Sequence, residues 1–215
     1  YEYPTGDCNN YPYMEYNSDI STEYVQYPGD YNGDGRMDIF TVKKSNLKDW
    51  RLYLATDYGG FTYSASGTHP WTINGAVVSD LNADGMDDLI LVEHTGNYMY
   101  YSWKLSTGTS FGTSYKFAYH YANSSAFTSF YDYYINFRKY LQEYSSDFDG
   151  DGFNDFLIID KDDKSWRMFS FTPESNNVSF LMNNRTGTVS SWGDAFQIAD
   201  FNGDGKADIW TFDSN

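Results

Sequence analysis

The sequence predicts an all-β protein built from four repeated units. A nine-residue segment recurs four times, short apolar runs flank the copies, and an alternating aromatic segment begins about twelve residues after three of them. The copies, named loops 1 to 4, are DYNGDGRMD (30–38), DLNADGMDD (80–88), DFDGDGFND (147–155) and DFNGDGKAD (200–208). Self-similarity at this period is typical of proteins assembled from small, equivalent sheets.

Each repeat predicts strands in a fixed order. The first two flank the loop, as VQYPG and DIFTVKK, AVVS and DDLILVEH, or AFQIA and DIWTFD; DFLIID follows loop 3, whose leading strand is not evident. The third is the aromatic segment WRLYLAT, YYSWKLST or WRMFSFT, and a Gly or Asn turn leads to a fourth, such as FTYSAS from Phe61 or NVSFLMNN from Asn177. Units of about 54 residues therefore predict four antiparallel sheets of four strands.

The loops have the composition of calcium sites. Positions 1, 5 and 9 are always Asp, position 3 is Asn or Asp, and position 6 is always Gly, where the backbone turns sharply. Position 7 of such loops binds through its main-chain carbonyl, so its side chain is free to vary. About four Ca²⁺ ions are predicted, one per loop. The predicted ligands are Asp30, Asn32, Asp34, Arg36 and Asp38; Asp80, Asn82, Asp84, Met86 and Asp88; Asp147, Asp149, Asp151, Phe153 and Asp155; and Asp200, Asn202, Asp204, Lys206 and Asp208.

The charge supports this interpretation and argues against nucleic acid as a partner. The formal net charge is −16, and thirteen of the 30 acidic residues lie at ligand positions. Four divalent ions would halve that charge. Only 14 Lys and Arg residues are present, without the clustering that phosphate binding requires.

Cysteine content and calcium together favour a secreted or cell-surface location. Cys8 is the single cysteine, so no disulfide forms within one chain, and weak calcium sites fill at extracellular concentrations. No apolar stretch is long enough to span a membrane, and the segment YEYPTGDCNN lacks signal-peptide character. Sequons at Asn123, Asn177 and Asn184 fit secretion, although such triplets are common by chance.

The phase of the repeats predicts a closed ring. Loop 4 is followed by one strand only, and residues 1–17 align without gaps with the third and fourth strands of the first repeat, Tyr3 with Tyr53 and Tyr11 with Phe61. We therefore expect residues 1–17 to complete the last sheet, giving a β-propeller of about four blades that spans residues 1–215 as a single domain. The alternative is an excised stretch of a longer array.

The spacing between loops is 50, 67 and 53 residues, which indicates an insertion at about 118–146. This segment is rich in Tyr and Phe. It either elaborates a binding surface or packs on its own blade.

The four loops and their flanking strands resemble the FG-GAP and VCBS repeats of β-propellers, including the calcium-bearing blades of integrin alpha subunits. The WRLYLATDYGGF and YYSWKLSTGTSFG segments are similar to bacterial variants in secreted adhesins, toxin-associated proteins and ancillary parts of glycan-handling enzymes. The resemblance implies the fold and the loop ligands, and no catalytic residue. EF-hand and dockerin loops are excluded because position 12 is Thr41, Leu91, Ile158 or Thr211 instead of an acidic ligand.

Three functions are compatible with these features. The first is a calcium-stabilised extracellular binding or adhesion module for a glycan or protein, because aromatic residues make up 20% of the chain. The second is a structural or assembly domain of a larger surface or toxin-associated protein. The sequence leaves the oligomeric state open.

The third function, a hydrolase or lyase, has little support, and we expect no enzyme activity. His69, His94 and His120 are isolated along the sequence, and Asp160, Asp162 and Asp163 are typical of a solvated hairpin tip. Most tryptophans are expected in the core between sheets. These are Trp50, Trp103, Trp166, Trp192 and Trp210.

Overall fold

A computed structural model describes residues 22–95, 98–121, 141–162, 164–173, 180–191, 193 and 195–212. Every regular element in these residues is a strand, which confirms the all-β prediction. The described residues contain no helix that is long and apolar enough to cross a membrane. The strands are β1 (Tyr24–Gly29), β2 (Asp38–Lys43), β3 (Asp49–Ala55), β4 (Phe61–Thr68), β5 (Thr72–Ser79), β6 (Asp88–Thr95), β7 (Tyr98–Lys104), β8 (Tyr115–Tyr121), β9 (Leu141–Ser146), β10 (Asp155–Asp160), β11 (Ser165–Pro173), β12 (Phe180–Thr188), β13 (Ala195–Ala199) and β14 (Asp208–Phe212).

The strands form four antiparallel sheets in chain order. Sheet 1 contains β1 to β4, sheet 2 contains β5 to β8, sheet 3 contains β9 to β12, and sheet 4 contains β13 and β14. Sheets 1 to 3 therefore have the predicted four strands. The remaining strands of sheet 4 were predicted in residues 1–17, which lie outside the described residues. The predicted closure of the ring by these strands therefore stays a prediction.

Two boundaries differ from the sequence prediction. The leading strand of sheet 3 is β9, which pairs along its whole length with β10. Its sequence, LQEYSS, has no regular apolar alternation. Both ends of the predicted insertion, 118–121 and 141–146, belong to strands β8 and β9. The fourth strand of sheet 3 covers Phe180–Thr188 in the described residues, and Asn177, where it was predicted to begin, lies outside them.

The sheets stack face to face, so the second strand of an inner sheet is buried on both sides. Leu89 and Leu91 of β6 pack with Phe40 of sheet 1, whereas Ile90, on the opposite face of the same strand, packs with Phe156 of sheet 3. A third cluster joins sheets 3 and 4. The continuous apolar run LILV is thus explained by burial on both faces and not by alternation.

Aromatic residues fill the space between sheets 2 and 3. Phe117 of β8 makes edge-to-face contacts with Phe156, Phe169 and Phe171 at ring-centroid distances of 5.8, 5.2 and 5.3 Å. Such contacts add to the stabilisation from burying apolar area.

The tryptophans follow the expectation only in part. Trp50 and Trp103 are 9% and 6% exposed, Trp166 is half-buried, and Trp210 of sheet 4 is 53% exposed. Trp192 lies outside the described residues.

Two glycines allow the tryptophans of β3 and β11 to pack on the neighbouring strand. Gly67 lies opposite Trp50, and Gly187 lies opposite Trp166. A Cβ at these glycines would lie 2.8 and 2.6 Å from the indole rings, closer than any real contact. The absence of a side chain therefore lets each indole lie directly on the next strand.

Candidate metal centre

The four loops share one backbone conformation. Position 6 has φ of 82°, 84°, 88° and 84° in loops 1 to 4, and position 4 is also left-handed, with φ of 72°, 55°, 79° and 77°. Glycine adopts this conformation without strain, and Ala83 adopts it at position 4 of loop 2. These two reversals curl each loop around its position-1 side chain.

The carboxylate at position 1 is at the centre of every loop. Oδ1 of Asp30 accepts the main-chain N–H of Asp34, and Oδ2 accepts that of Gly35 at 2.7 Å. The same two bonds recur in the other loops at 2.9 to 3.2 Å. In loop 4 they lower the pKa of Asp200, the bond from Gly205 contributing most. The Asp200 carboxylate is therefore held ionised.

Positions 3 and 5 are held beside position 1. In loop 2, Oδ1 of Asn82 accepts the N–H of Asp84 at 3.2 Å, and the Asn82 amide donates to Oδ2 of Asp84 at 2.9 Å. The main-chain N–H of position 7 donates to Oδ1 of the position-5 Asp at 2.9 to 3.0 Å in all four loops. Three oxygen-bearing side chains thus converge in each loop.

Loop 3 shows most directly that this arrangement fits a cation. Ligand oxygens of Asp147, Asp149 and Asp151 all lie within 4.8 Å of one another. Oδ1 of Asp149 and Oδ1 of Asp155 are buried and have no hydrogen-bond partner among the described residues. Clustered carboxylates repel one another, and a buried oxygen without a partner is costly, so a hard divalent cation suits this donor set.

The predicted ligand at position 9 has a different environment. Asp38, Asp88 and Asp155 are fully buried, and Oδ2 of each accepts the main-chain N–H of position 2 at 2.9 to 3.0 Å. In loops 1 and 2, Oδ1 accepts a second N–H, from Ala55 and Ser106, at 2.7 Å. These carboxylates therefore join the start of the loop to the end of the third strand.

Burial has a further consequence for these carboxylates. The pKa of Asp88 is raised to about 8 and that of Asp155 to about 6, and burial is the largest cause. Nearby loop carboxylates contribute to both increases, since negative charges disfavour one another. In loop 4, Asp208 accepts the N–H of Phe201 at 3.2 Å and is only half-buried.

The side chains at position 7 have no common role. Arg36 pairs with Asp34 at 2.7 Å and with Asp57 at 2.8 Å, both at the surface. Position 7 is a cation in loops 1 and 4, a thioether in loop 2 and an aromatic ring in loop 3 (Arg36, Lys206, Met86 and Phe153), as expected if only the main chain at this position matters.

One polar cluster was not predicted. The buried carboxylate of Glu93 on β6 lies 2.8 Å from Nε2 of His69 and accepts a hydrogen bond from Ser102 Oγ, and Lys116 lies 3.5 Å from its other oxygen. Burial raises the pKa of Glu93, but the bonds from His69 and Ser102 outweigh it and lower the pKa. His69 and Glu93 are 3% and 0% exposed, and their contact ties the connection after β4 to sheet 2. The pair is 24 residues apart, and no local pattern signals it.

Comparison with known families gives one match. The model of a family described as FG-GAP-like repeat matches residues 30–91 and 147–211, more than half of the chain. Each matched range begins at position 1 of a loop and contains two complete loops. A search among curated proteins returned no match.

Proposed function

The chain belongs to the FG-GAP-like repeat family, and on that premise we propose that it is a calcium-stabilised β-propeller-type module of the cell exterior that binds a glycan or a protein. FG-GAP repeats occur in extracellular and surface proteins, and the family is typically non-catalytic. The observation that carries the proposal is the fourfold recurrence of one loop geometry around a carboxylate at position 1.

Calcium bound in each loop would neutralise the converging carboxylates. The side chains of positions 1, 3 and 5 would hold the ion, with the carbonyl of position 7, and the buried Asp at position 9 would contribute while it anchors two strands. Asp149 Oδ1 and Asp155 Oδ1, which lack partners in the part of the chain that the structure describes, support this ligand set in loop 3.

Calcium titration calorimetry tests the proposed sites. We expect about four ions per chain, and Asp84→Ala should remove one of them while the other loops keep theirs. Asp162→Ala is the matched control, because Asp162 is an exposed acidic residue outside all four loops. Four equivalent ions in Asp84→Ala would contradict the assignment of Asp84 as a ligand.

Ring closure is part of the proposal. The face of sheet 4 carries exposed Phe201, Trp210 and Phe212, and Trp210 stacks on Phe212 at 5.4 Å. A partner sheet or strand would cover these rings, and residues 1–17 have the alternation and the repeat phase to supply the missing strands of a fourth blade.

A test for a bound ligand distinguishes a binding function from a purely structural one. Exposed aromatic side chains such as Tyr58 and Tyr115, at 81% and 42%, favour a binding surface because aromatic rings anchor sugars and protein interfaces. A glycan array combined with gel filtration distinguishes the two functions. Binding to a defined sugar supports the binding module, whereas no sugar binding together with self-association supports an assembly domain of a larger surface or toxin-associated protein.

A further inference from the structure

Neighbouring loops are hydrogen-bonded to each other through position 8, which is not a predicted metal ligand. The main-chain N–H of Asp87, in loop 2, donates to the carbonyl of Asp30 at 2.7 Å, and Oδ2 of Asp87 accepts the N–H of Asp30 at the same distance. Asp30 is position 1 of loop 1. The central residue of one loop is therefore held on both main-chain groups by the next loop.

The same contact recurs along the chain. The side-chain amide of Asn154, position 8 of loop 3, donates to the carbonyl of Asp80, position 1 of loop 2, at 3.0 Å. The N–H of Ala207, position 8 of loop 4, donates to the carbonyl of Asp147, position 1 of loop 3, at 2.7 Å. Loops 1 to 4 thus form a row in which each loop holds position 1 of the loop before it.

A second route joins loops 1 and 2. Ser106, which is 6% exposed, donates its N–H to Asp88 Oδ1 at 2.7 Å and its hydroxyl to the carbonyl of Tyr31 at 2.5 Å. The N–H of Tyr31 donates in turn to Asp38 at 3.0 Å. The position-9 carboxylates of both loops are therefore linked through a single buried serine.

We propose that calcium binding is positively cooperative between adjacent loops and that Asp87 and Ser106 carry the coupling between loops 1 and 2. This inference rests on the proposed calcium sites. An ion in loop 1 orders Asp30, and Asp30 orders Asp87, which lies between Met86 and Asp88 of loop 2. The second ion then binds a loop whose ordering entropy has already been lost, and the effect is reciprocal.

The close packing of loops agrees with this coupling. A Cβ at Gly33 of loop 1 would lie 3.1 Å from the carbonyl oxygen of Gly85 in loop 2, and one at Gly150 would lie 3.0 Å from the Lys206 side chain in loop 4. A change in the conformation of one loop therefore displaces atoms of the neighbouring loop.

Pairs of active loops in the full chain test the proposal by calcium titration calorimetry. Asp151→Ala with Asp204→Ala leaves the adjacent loops 1 and 2, whereas Asp84→Ala with Asp204→Ala leaves loops 1 and 3. We expect the two ions to bind loops 1 and 2 cooperatively, with the second affinity raised at least about fivefold, the lower end of typical coupling. Loops 1 and 3 should bind independently.

Removing the side-chain links should weaken the cooperativity. In the background with loops 1 and 2, Asp87→Ala with Ser106→Ala should lower the ratio of the two affinities, while the main-chain bond from residue 87 to the Asp30 carbonyl remains. Asp87→Asn keeps an acceptor for the Asp30 N–H and should retain cooperativity at lower overall affinity. Met37→Ala is the matched control, because Met37 is position 8 of loop 1 and its side chain is 58% exposed.

The outcomes separate this inference from the function on which it rests. Calcium binding to loops 1 and 2 with equal, independent affinities, or cooperativity that is undiminished by Asp87→Ala with Ser106→Ala, would overturn the coupling and leave the proposed function standing. No calcium binding in any variant or in the parent protein would overturn both.

Discussion

Calcium removal is expected to lower the unfolding midpoint of this protein by about 20–40 °C. A site filled at 100 times its dissociation constant adds about 2.7 kcal/mol to the free energy of unfolding, so four sites add about 11 kcal/mol. That is comparable to the whole stability of an ordinary domain, about 5–15 kcal/mol. At this chain length each kcal/mol corresponds to roughly 2–4 °C.

The physical reason lies in the loops and not in the sheets. Each loop holds several carboxylates within a few ångströms, and loop 3 brings three of them within 4.8 Å. Without a cation, their repulsion opposes the chain reversal that joins the first and second strands of each sheet. Because adjacent loops are bonded to each other, the opening of one loop weakens the contact between two sheets.

Thermal unfolding followed by circular dichroism measures this effect. The protein is compared in millimolar calcium and in EGTA with excess magnesium, so that general ionic effects are matched. A variant with Ala at the four position-5 residues (Asp34, Asp84, Asp151 and Asp204) should unfold at the low temperature in both buffers. An unchanged midpoint of the parent protein in EGTA would refute a stabilising role for calcium.

Replacing Asp88 by alanine is expected to cost about 2–6 kcal/mol, more than the replacement of any exposed loop ligand. The change leaves the N–H groups of Leu81 and Ser106 buried without an acceptor. Each such group costs about 1–3 kcal/mol. Asp88→Asn should be intermediate, because its amide oxygen accepts one N–H while its NH₂ group faces the other.

Urea denaturation at several calcium concentrations separates this structural cost from the loss of an ion. The cost of Asp84→Ala should shrink as calcium is lowered, because the loss of the ion outweighs the loss of the bonds that Asp84 accepts from Asn82 and Met86 near the surface. The cost of Asp88→Ala should keep a part that does not depend on calcium. Asp208→Ala is the matched control, since Asp208 occupies the same position in loop 4, is half-buried and has the longer bond of 3.2 Å.

If Asp88→Ala and Asp84→Ala lose equal stability at every calcium concentration, position 9 acts only as a ligand. If both variants match the parent protein at low calcium, the two buried hydrogen bonds to Asp88 contribute nothing to stability.

Local pattern was sufficient for the loops and for most strands. The conformation of each loop depends on contacts within nine residues, such as the bonds of Asp30 with Asp34 and Gly35. The spacing of oxygen ligands and glycine can therefore be recognised in the sequence. β13 coincides with the predicted AFQIA because its boundaries are set by the loop that follows. β9 was not evident, because LQEYSS becomes a strand through pairing with β10 and not through its own pattern.

By itself, the sequence determined the repeat, the all-β class, the converging oxygens at positions 1, 3 and 5, and the family. Only the tertiary structure decided that position 9 is buried in loops 1 to 3, that Asp88 accepts the N–H of Ser106, that Glu93 meets His69, and that Asp87 holds Asp30 across 57 residues. The reason is physical: a residue's spacing along the chain records its local turns, whereas its burial and distant partners depend on how the sheets stack.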